Sequence, residues 1–168
     1  GTNFNFRVNA VTVQNSGAPT YTSSALTNGQ VVDVIVTNAG GCSTTSAGIA
    51  NTVVALPTPG ITSSDADNSF CAGTSVIFTA SGGTIYNLLI NGVSVQNGLS
   101  TSYTTTALTN GQVVDVIVTN ASSCSVTSTG ITNIVVALPA ATLTSSDADN
   151  MICTGTSVTF TTTAVGGT

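Results

Sequence analysis

The chain has no histidine, lysine, glutamate or tryptophan, and its only charged residues are one arginine, Arg7, and six aspartates. At 4% charged residues and a net charge of −5, it lacks the surface of an ordinary cytosolic domain. A single cation cannot displace the counterions of a phosphate backbone, so nucleic acid is excluded as a partner. The same shortage argues against attraction to anionic membrane surfaces. Without histidine, lysine or glutamate, no serine or cysteine hydroxyl or thiol has a conventional base beside it, and only aspartates remain for acid–base work. Catalysis is therefore not expected, and the many Ser and Thr hydroxyls read as strand surface. Purely apolar runs such as Ile134 to Leu138 stop at five residues, against roughly 20 needed to cross a bilayer. No membrane span or signal peptide is legible, and the latter means little in a chain that begins inside a repeat.

What the chain does have is a copy of itself. Ala25 to Ala39 recurs unchanged as Ala107 to Ala121, an offset of 82 residues, and the tract ThrSerSerAspAlaAspAsn at Thr62 recurs at Thr144 with the same offset. This is a tandem array. Gly1 and Thr2 match Gly83 and Thr84, and Gly167 and Thr168 return to that phase after a two-residue insertion near Ala164 and Val165. The expected organisation is the back part of one repeat over 1–57 (strands C to G), a complete repeat over 58–139, and the front part of a third over 140–168 (strands A and B).

Period-2 alternation dominates, as in Val32, Val34 and Val36 against Asp33, Ile35 and Thr37, and β-branched residues fill every such run. In the complete repeat, strands are expected near 61–65, 75–80, 85–90, 93–96, 102–106, 112–119 and 129–137. About seven short strands in 82 residues predict an all-β chain of tandem immunoglobulin-like sandwiches. Asn91-Gly92 predicts a two-residue hairpin turn, because both residues tolerate positive φ. Asn28-Gly29 and Asn110-Gly111 mark turns into the sixth strand, and Pro57 and Pro139 close each repeat. Inward candidates are Val76, Phe78, Tyr86, Leu88, Ile90, Tyr103, Leu108, Val114, Val116, Val118, Ile134 and Val136.

Each repeat carries two cysteines, Cys71 and Cys124 in the complete copy, with Cys153 and Cys42 as their counterparts. A cross-link would suit so small a core. In the usual strand order, however, Cys71 and Cys124 fall at opposite poles. Three readings stay open: a bridge within a repeat, a bridge from Cys71 to the next repeat's counterpart of Cys124, and free thiols. No CxxC or histidine accompanies them, which argues against zinc. Asp65, Asp67 and Asn68, repeated as Asp147, Asp149 and Asn150, supply hard oxygens at a spacing that would share a calcium ion, but without the glycine and bidentate glutamate of an EF-hand loop. The competing expectation is a turn whose carboxylates cap backbone N–H groups. No other cofactor is expected. Asp33 and Asp115 are expected to face outward in mid-strand beside a Thr or Ser, with contact between repeats as the alternative, and Arg7, the counterpart of Leu89, to lie on the surface or else to pair with an Asp across a repeat contact. Tyr21, Tyr86 and Tyr103 are better placed in the core than on a sugar-stacking platform.

The Cys-x-Gly before the second strand (Cys71-Ala72-Gly73, Cys153-Thr154-Gly155), the Phe within it (Phe78, Phe160), the ThrAsnGlyGlnVal turn and Gly41-Cys42 after the sixth strand resemble immunoglobulin-like or PKD-like repeats of giant Bacteroidota surface proteins. The second copy departs from this pattern with Ser123 before Cys124. The resemblance implies an extracellular, cell-surface repeat of the kind found in type IX-secreted and gliding-related adhesins. Its partners would be neighbouring copies stacked head to tail, and no surface ligand is named. Two alternatives stand beside this: a glycan- or protein-binding module using the loops 40–45 and 121–127, and separate pilus-like subunits joined by strand complementation.

Overall fold

The computed structural model describes residues 1–165; Gly167 and Thr168, which the repeat places in phase with Gly83 and Thr84, lie outside them. The chain divides into two compact units, Gly1–Ala55 and the remainder from Leu56. All regular structure in the described residues is β, and no helix among them is long and apolar enough to cross a membrane.

The first unit holds β1 (Asn3–Val8), β2 (Val11–Ser16), β3 (Val31–Thr37), β4 (Ser43–Thr45) and β5 (Ile49–Ala50). They form a single sheet in the order β2-β1-β3-β4, with β5 also on β3. The second unit opens with β6 (Gly60–Ser63), β7 (Ser69–Cys71), β8 (Val76–Ser81), β9 (Ile85–Ile90), β10 (Val93–Gly98) and β11 (Ser102–Thr105). It continues through β12 (Val113–Thr119), β13 (Ser125–Thr127), β14 (Ile131–Thr132) and β15 (Ile134–Val136), and ends with β16 (Ala140–Ser145) and β17 (Phe160–Val165).

Two sheets of the second unit make the sandwich: β10-β9-β12-β13, with β14 also on β12, and β11-β8-β6. Their inner rows supply one core, with Val76, Phe78 and Ala80 from β8, Tyr86 and Leu88 from β9, and Val114, Val116 and Val118 from β12. The alternation in β8 and β12 is strict, buried against exposed or half-buried, as a sheet covered on one face requires. Each fully buried Val, Leu or Phe contributes about 1.5–3 kcal/mol, so these few side chains carry most of the hydrophobic stabilisation. The two-residue hairpin between β9 and β10 forms as the sequence predicts. Ile90 pairs with Val93, and Asn91 and Gly92 take φ of 50° and 77°.

Two expectations require correction. The run 129–137 is not one strand: β13 and β14 pair with β12, after which the chain crosses away from β12 and β15 runs parallel to β7 in a separate two-stranded sheet. The crossing reverses the inward parity. Val135 packs on the core beside Phe70, while Ile134 and Val136, expected inside, are 52% and 36% exposed. The strand β7 was not anticipated, because three residues flanked by an Asp-rich turn and Gly73 have too little pattern of their own. Phe70 joins the core through it, alongside Ala80 of β8 and half-buried Ile61 of β6.

Candidate functional site

The 82-residue offset puts every described strand of the first unit onto one of the second. The pairings Phe4↔Val36, Phe6↔Val34 and Val8↔Val32 reappear as Tyr86↔Val118, Leu88↔Val116 and Ile90↔Val114. The hairpin β16–β17 is likewise the hairpin β6–β8. Gly60↔Ser81 and Ser63↔Phe78 reappear as Thr142↔Thr163 and Ser145↔Phe160. The backbone of each partial copy is therefore already in the register that the complete copy uses.

The turn ThrAsnGlyGln is held identically in both units. Asn110 Oδ1 accepts from the Val135 N–H at 3.1 Å, and Gln112 Oε1 from the Thr109 N–H at 2.9 Å. Their counterparts are Asn28 to Val53 at 3.1 Å and Gln30 to Thr27 at 2.9 Å. Facing this turn is Asn133, fully buried at the strand crossing, whose amide donates to the carbonyls of Gln112 and Ile131, both at 3.1 Å. Asn51 repeats the arrangement but is only half-buried. Sequence reading passed over Asn133. Its signal was a polar residue interrupting the apolar run from Ile131 to Val136, with an identical interruption at Asn51.

The aspartate tract is a turn closed on itself. Asp65 and Asp67 each offer an Oδ1 to the Ser69 N–H, at 3.0 and 3.1 Å, and Ser63 Oγ accepts from the Asp65 N–H. Asn68 sits at φ 57°, in the left-handed region where Asn is best tolerated. The second copy keeps the Ser145 to Asp147 bond, has Asn150 at φ 58°, and lets Asp149 accept from the Met151 N–H at 3.0 Å. That N–H, then a hydrogen bond shared with Asp147, holds the Asp149 carboxyl below its ordinary pKa. Among the described residues, no three Cys, Asp, Glu or His side chains gather as a metal site would require. The contacts made are those of side chains capping backbone N–H groups.

All four cysteines are free: Cys42, Cys71 and Cys153 are exposed and Cys124 is half-buried. In the complete repeat they lie at opposite ends of β12. Cys71 pairs with Val136, beyond the Val113 end and just before the outgoing link at Pro139. Cys124 closes the turn after Thr119, where Asn120 Oδ1 accepts from its N–H at 3.0 Å. The loops 40–45 and 121–127 have the same closed form. Asn38 Oδ1 caps Gly40 and Cys42, and Asn120 Oδ1 caps Ser122 and Cys124, with Gly41 and Ser123 both at positive φ.

Arg7 does pair with an aspartate, Asp33, but on the adjacent strand of its own unit rather than across a repeat contact. They are cross-strand neighbours forming a bidentate pair, Nε to Oδ1 at 2.7 Å and Nη2 to Oδ2 at 2.8 Å, with side chains 21% and 18% exposed. The hydrogen bond to Asp33 raises the Arg7 pKa further. In the second unit Leu89 stands opposite Asp115, and that carboxylate has no such partner. Tyr21 lies over Phe6, ring centroids 5.9 Å apart, while Tyr86 is buried with its hydroxyl donating to the Gly83 carbonyl and Tyr103 is half-buried in β11.

No family model and no curated protein sequence matches the chain. Among solved structures it is similar to the fibronectin(III)-like modules of Clostridium thermocellum CbhA. The identity is 12% over 79% of this chain and 76% of that one, with a TM-score of 0.50. An amphioxus IgVJ-C2 molecule matches with 14% identity over 79% of this chain and 88% of that one, at a TM-score of 0.37. The likeness to the fibronectin(III)-like modules agrees with the β-sandwich seen in the complete repeat.

Proposed function

We propose that this chain is a non-catalytic structural segment of an extracellular filament or adhesin stalk at the cell surface, whose repeats stack end to end and supply reach and stiffness. One observation carries the reading: the complete repeat receives and releases the chain at opposite ends. Thr58 lies against Gly82, at the Thr119 end of β12, and Pro139 follows β15 beyond the Val113 end. The seven residues of β12 span about 20–25 Å. A chain that enters at one pole and leaves at the other extends with each repeat. A surface of neutral hydroxyls and amides supports the reading too, because close-set copies then meet without charge repulsion. Polypeptides of two, four and eight repeats test it by small-angle X-ray scattering. The maximum dimension is expected to rise linearly, by about 25 Å or more per repeat, and growth as the cube root of mass would refute it.

The cysteine placement suits a bridge between successive repeats, since Cys71 and the next repeat's counterpart of Cys124 come to the same junction. Two thiols would exchange with glutathione disulfide, forming one S–S bond and releasing two reduced glutathiones. In a two-repeat polypeptide that keeps all four cysteines, oxidation is expected to bridge Cys71 of the first repeat to the counterpart of Cys124 in the second. Bridging of Cys71 to Cys124 inside one repeat would refute this placement.

A further inference from the structure

We propose that the outward face of β9 and β12 in the complete repeat is a docking site for a partner protein that sets an arginine side chain against Asp115. The inference does not depend on the stalk reading and lies away from the loops 40–45 and 121–127. It follows from a difference between the two copies. Val31–Thr37 and Val113–Thr119 are identical, but the strand beside them is not: β1 reads AsnPheAsnPheArgVal and β9 reads IleTyrAsnLeuLeuIle. Residues opposed across an antiparallel pair share a face, so the pairings sort these differences. Inward, Phe4, Phe6 and Val8 correspond to Tyr86, Leu88 and Ile90, and the core stays apolar. Outward, Asn3 and Arg7 correspond to Ile85 and Leu89, while Asp33 corresponds to Asp115. The face of the complete repeat has the carboxylate without the cation.

In the first unit this carboxylate position already holds a guanidinium, with Asp33 Oδ1 accepting from Arg7 Nε at 2.7 Å and Oδ2 from Nη2 at 2.8 Å. In the complete repeat the equivalent Asp115 Oδ1 is buried and accepts no hydrogen bond. Leu89 stands opposite it, half-buried Val113 and Ile117 flank it along β12, and Ile85, 42% exposed, continues the face on β9. A carboxylate oxygen held among apolar side chains without a donor is costly, and a cation fixed there is attracted more strongly than one in open water. The side away from Leu89 carries Gly130, where an added Cβ would stand 3.7 Å from Asp115 Cβ, so no side chain covers that approach. This chain supplies no donor of its own, since Arg7 is its single Lys or Arg and is bound to Asp33. The Arg7 pair also selects the ligand class: two parallel N–H donors in one plane, which a guanidinium has and an ammonium lacks. The apolar surroundings select a polypeptide whose arginine is flanked by apolar residues, the composition common at the centre of protein interfaces.

The test is an NMR titration of the whole chain, at low salt, with the end-blocked tripeptide valyl-arginyl-valine as probe and its lysine analogue as comparison. Saturating amide shifts are expected at 87–89 and 113–117, with affinity of about millimolar for so small a probe. None are expected at 5–7 and 31–35, where Arg7 fills the equivalent site. The lysine peptide is expected to bind more weakly, and the shifts to fade as salt rises. Asp115→Asn is expected to weaken binding about 10- to 100-fold. Leu89→Arg places a guanidinium on Asp115 from within, as Arg7 does on Asp33, and is expected to abolish binding in a chain whose spectrum shows it folded. The absence of any saturable shift, equal shifts in the two units, or binding that Asp115→Asn or Leu89→Arg leaves unchanged would overturn the proposal. A lysine peptide that binds as tightly would overturn its guanidinium assignment.

Discussion

Replacing Asn133 by alanine, and Asn51 by alanine in a second variant, removes the same two hydrogen bonds from two settings of different burial. At position 133 the amide donates at 3.1 Å to the carbonyls of Gln112 and Ile131, and the residue has no exposure to solvent. Water cannot replace the lost donors. Two net hydrogen bonds at about 1 kcal/mol each, plus part of the penalty for a stranded carbonyl, give a loss of about 2–4 kcal/mol. For a domain of 60–100 residues this lowers the melting temperature by about 10–25 °C. At position 51 the geometry is the same, with donations at 3.1 and 3.0 Å, but the residue is half-buried. Solvent can take over both carbonyls there, and the loss falls to about 1 kcal/mol or less. Native-state hydrogen exchange of the whole chain, at a dilution where copies stay apart, reports the two separately through amides of β12 and β3. Equal losses at the two positions would refute the argument that desolvation, rather than the hydrogen bonds themselves, sets the cost.

The two hairpin turns offer a reciprocal exchange, because Gly92 and its counterpart Ala10 both hold positive φ, 77° and 65°. Gly92→Ala is expected to cost about 1 kcal/mol and Ala10→Gly to recover a similar amount, read from exchange protection in the flanking strands; a destabilising Ala10→Gly would contradict it. Leu89→Arg restores opposite Asp115 the pairing that Arg7 makes with Asp33. It is expected to raise thermal stability at low salt, with the gain fading as salt increases, and a salt-independent gain would point to packing instead. The depressed Asp149 pKa makes the 147–151 turn more stable where that carboxylate is ionised. Its contribution is complete above the ordinary carboxylate value of 3.8 and is lost as pH falls through the lower folded value. The Met151 amide shift should follow this titration, and a midpoint at or above 3.8 would remove the proposed capping bond.

The sandwich was legible because its evidence is local. Asn91-Gly92 fixes the hairpin register, and alternating valines in β12 fix which face turns inward. The ion pair was legible in principle: once the hairpin and β12 are aligned, position 89 faces 115, so position 7 must face 33. A pairing of Arg7 with an aspartate was expected only across a repeat contact, not with Asp33 on the adjacent strand. The crossing at Asn133 was not legible, since β7 and β15 have three residues each and their parallel pairing joins segments more than sixty residues apart. No period-2 argument reaches across such a gap, and it is the crossing that turns Val135 inward in place of Ile134 and Val136. For the aspartates, spacing alone was compatible with either a cation or a capped turn, and only the hydrogen-bond partners distinguish the contacts that are made.

Near-identical segments in two settings also separate what a sequence specifies from what its neighbours must supply. Val31–Thr37 and Val113–Thr119 have the same sequence and are both strands, because each has a hairpin partner from its own repeat. Tyr21 and Tyr103 stand in equivalent positions, yet only Tyr103 is in a strand, because only the complete repeat has β8 beside it. Strand formation in this repeat is thus local for β9, β10 and β12 and conditional for β11, β7 and β15. The conditional segments are those that join the two sheets into one core. A repeat cut at Gly83 therefore separates into two halves that keep their register but not their closure. In the complete repeat the two halves together bury Phe78, Leu88, Val114, Val116 and Val118 and form the β11–β8 and β15–β7 pairings.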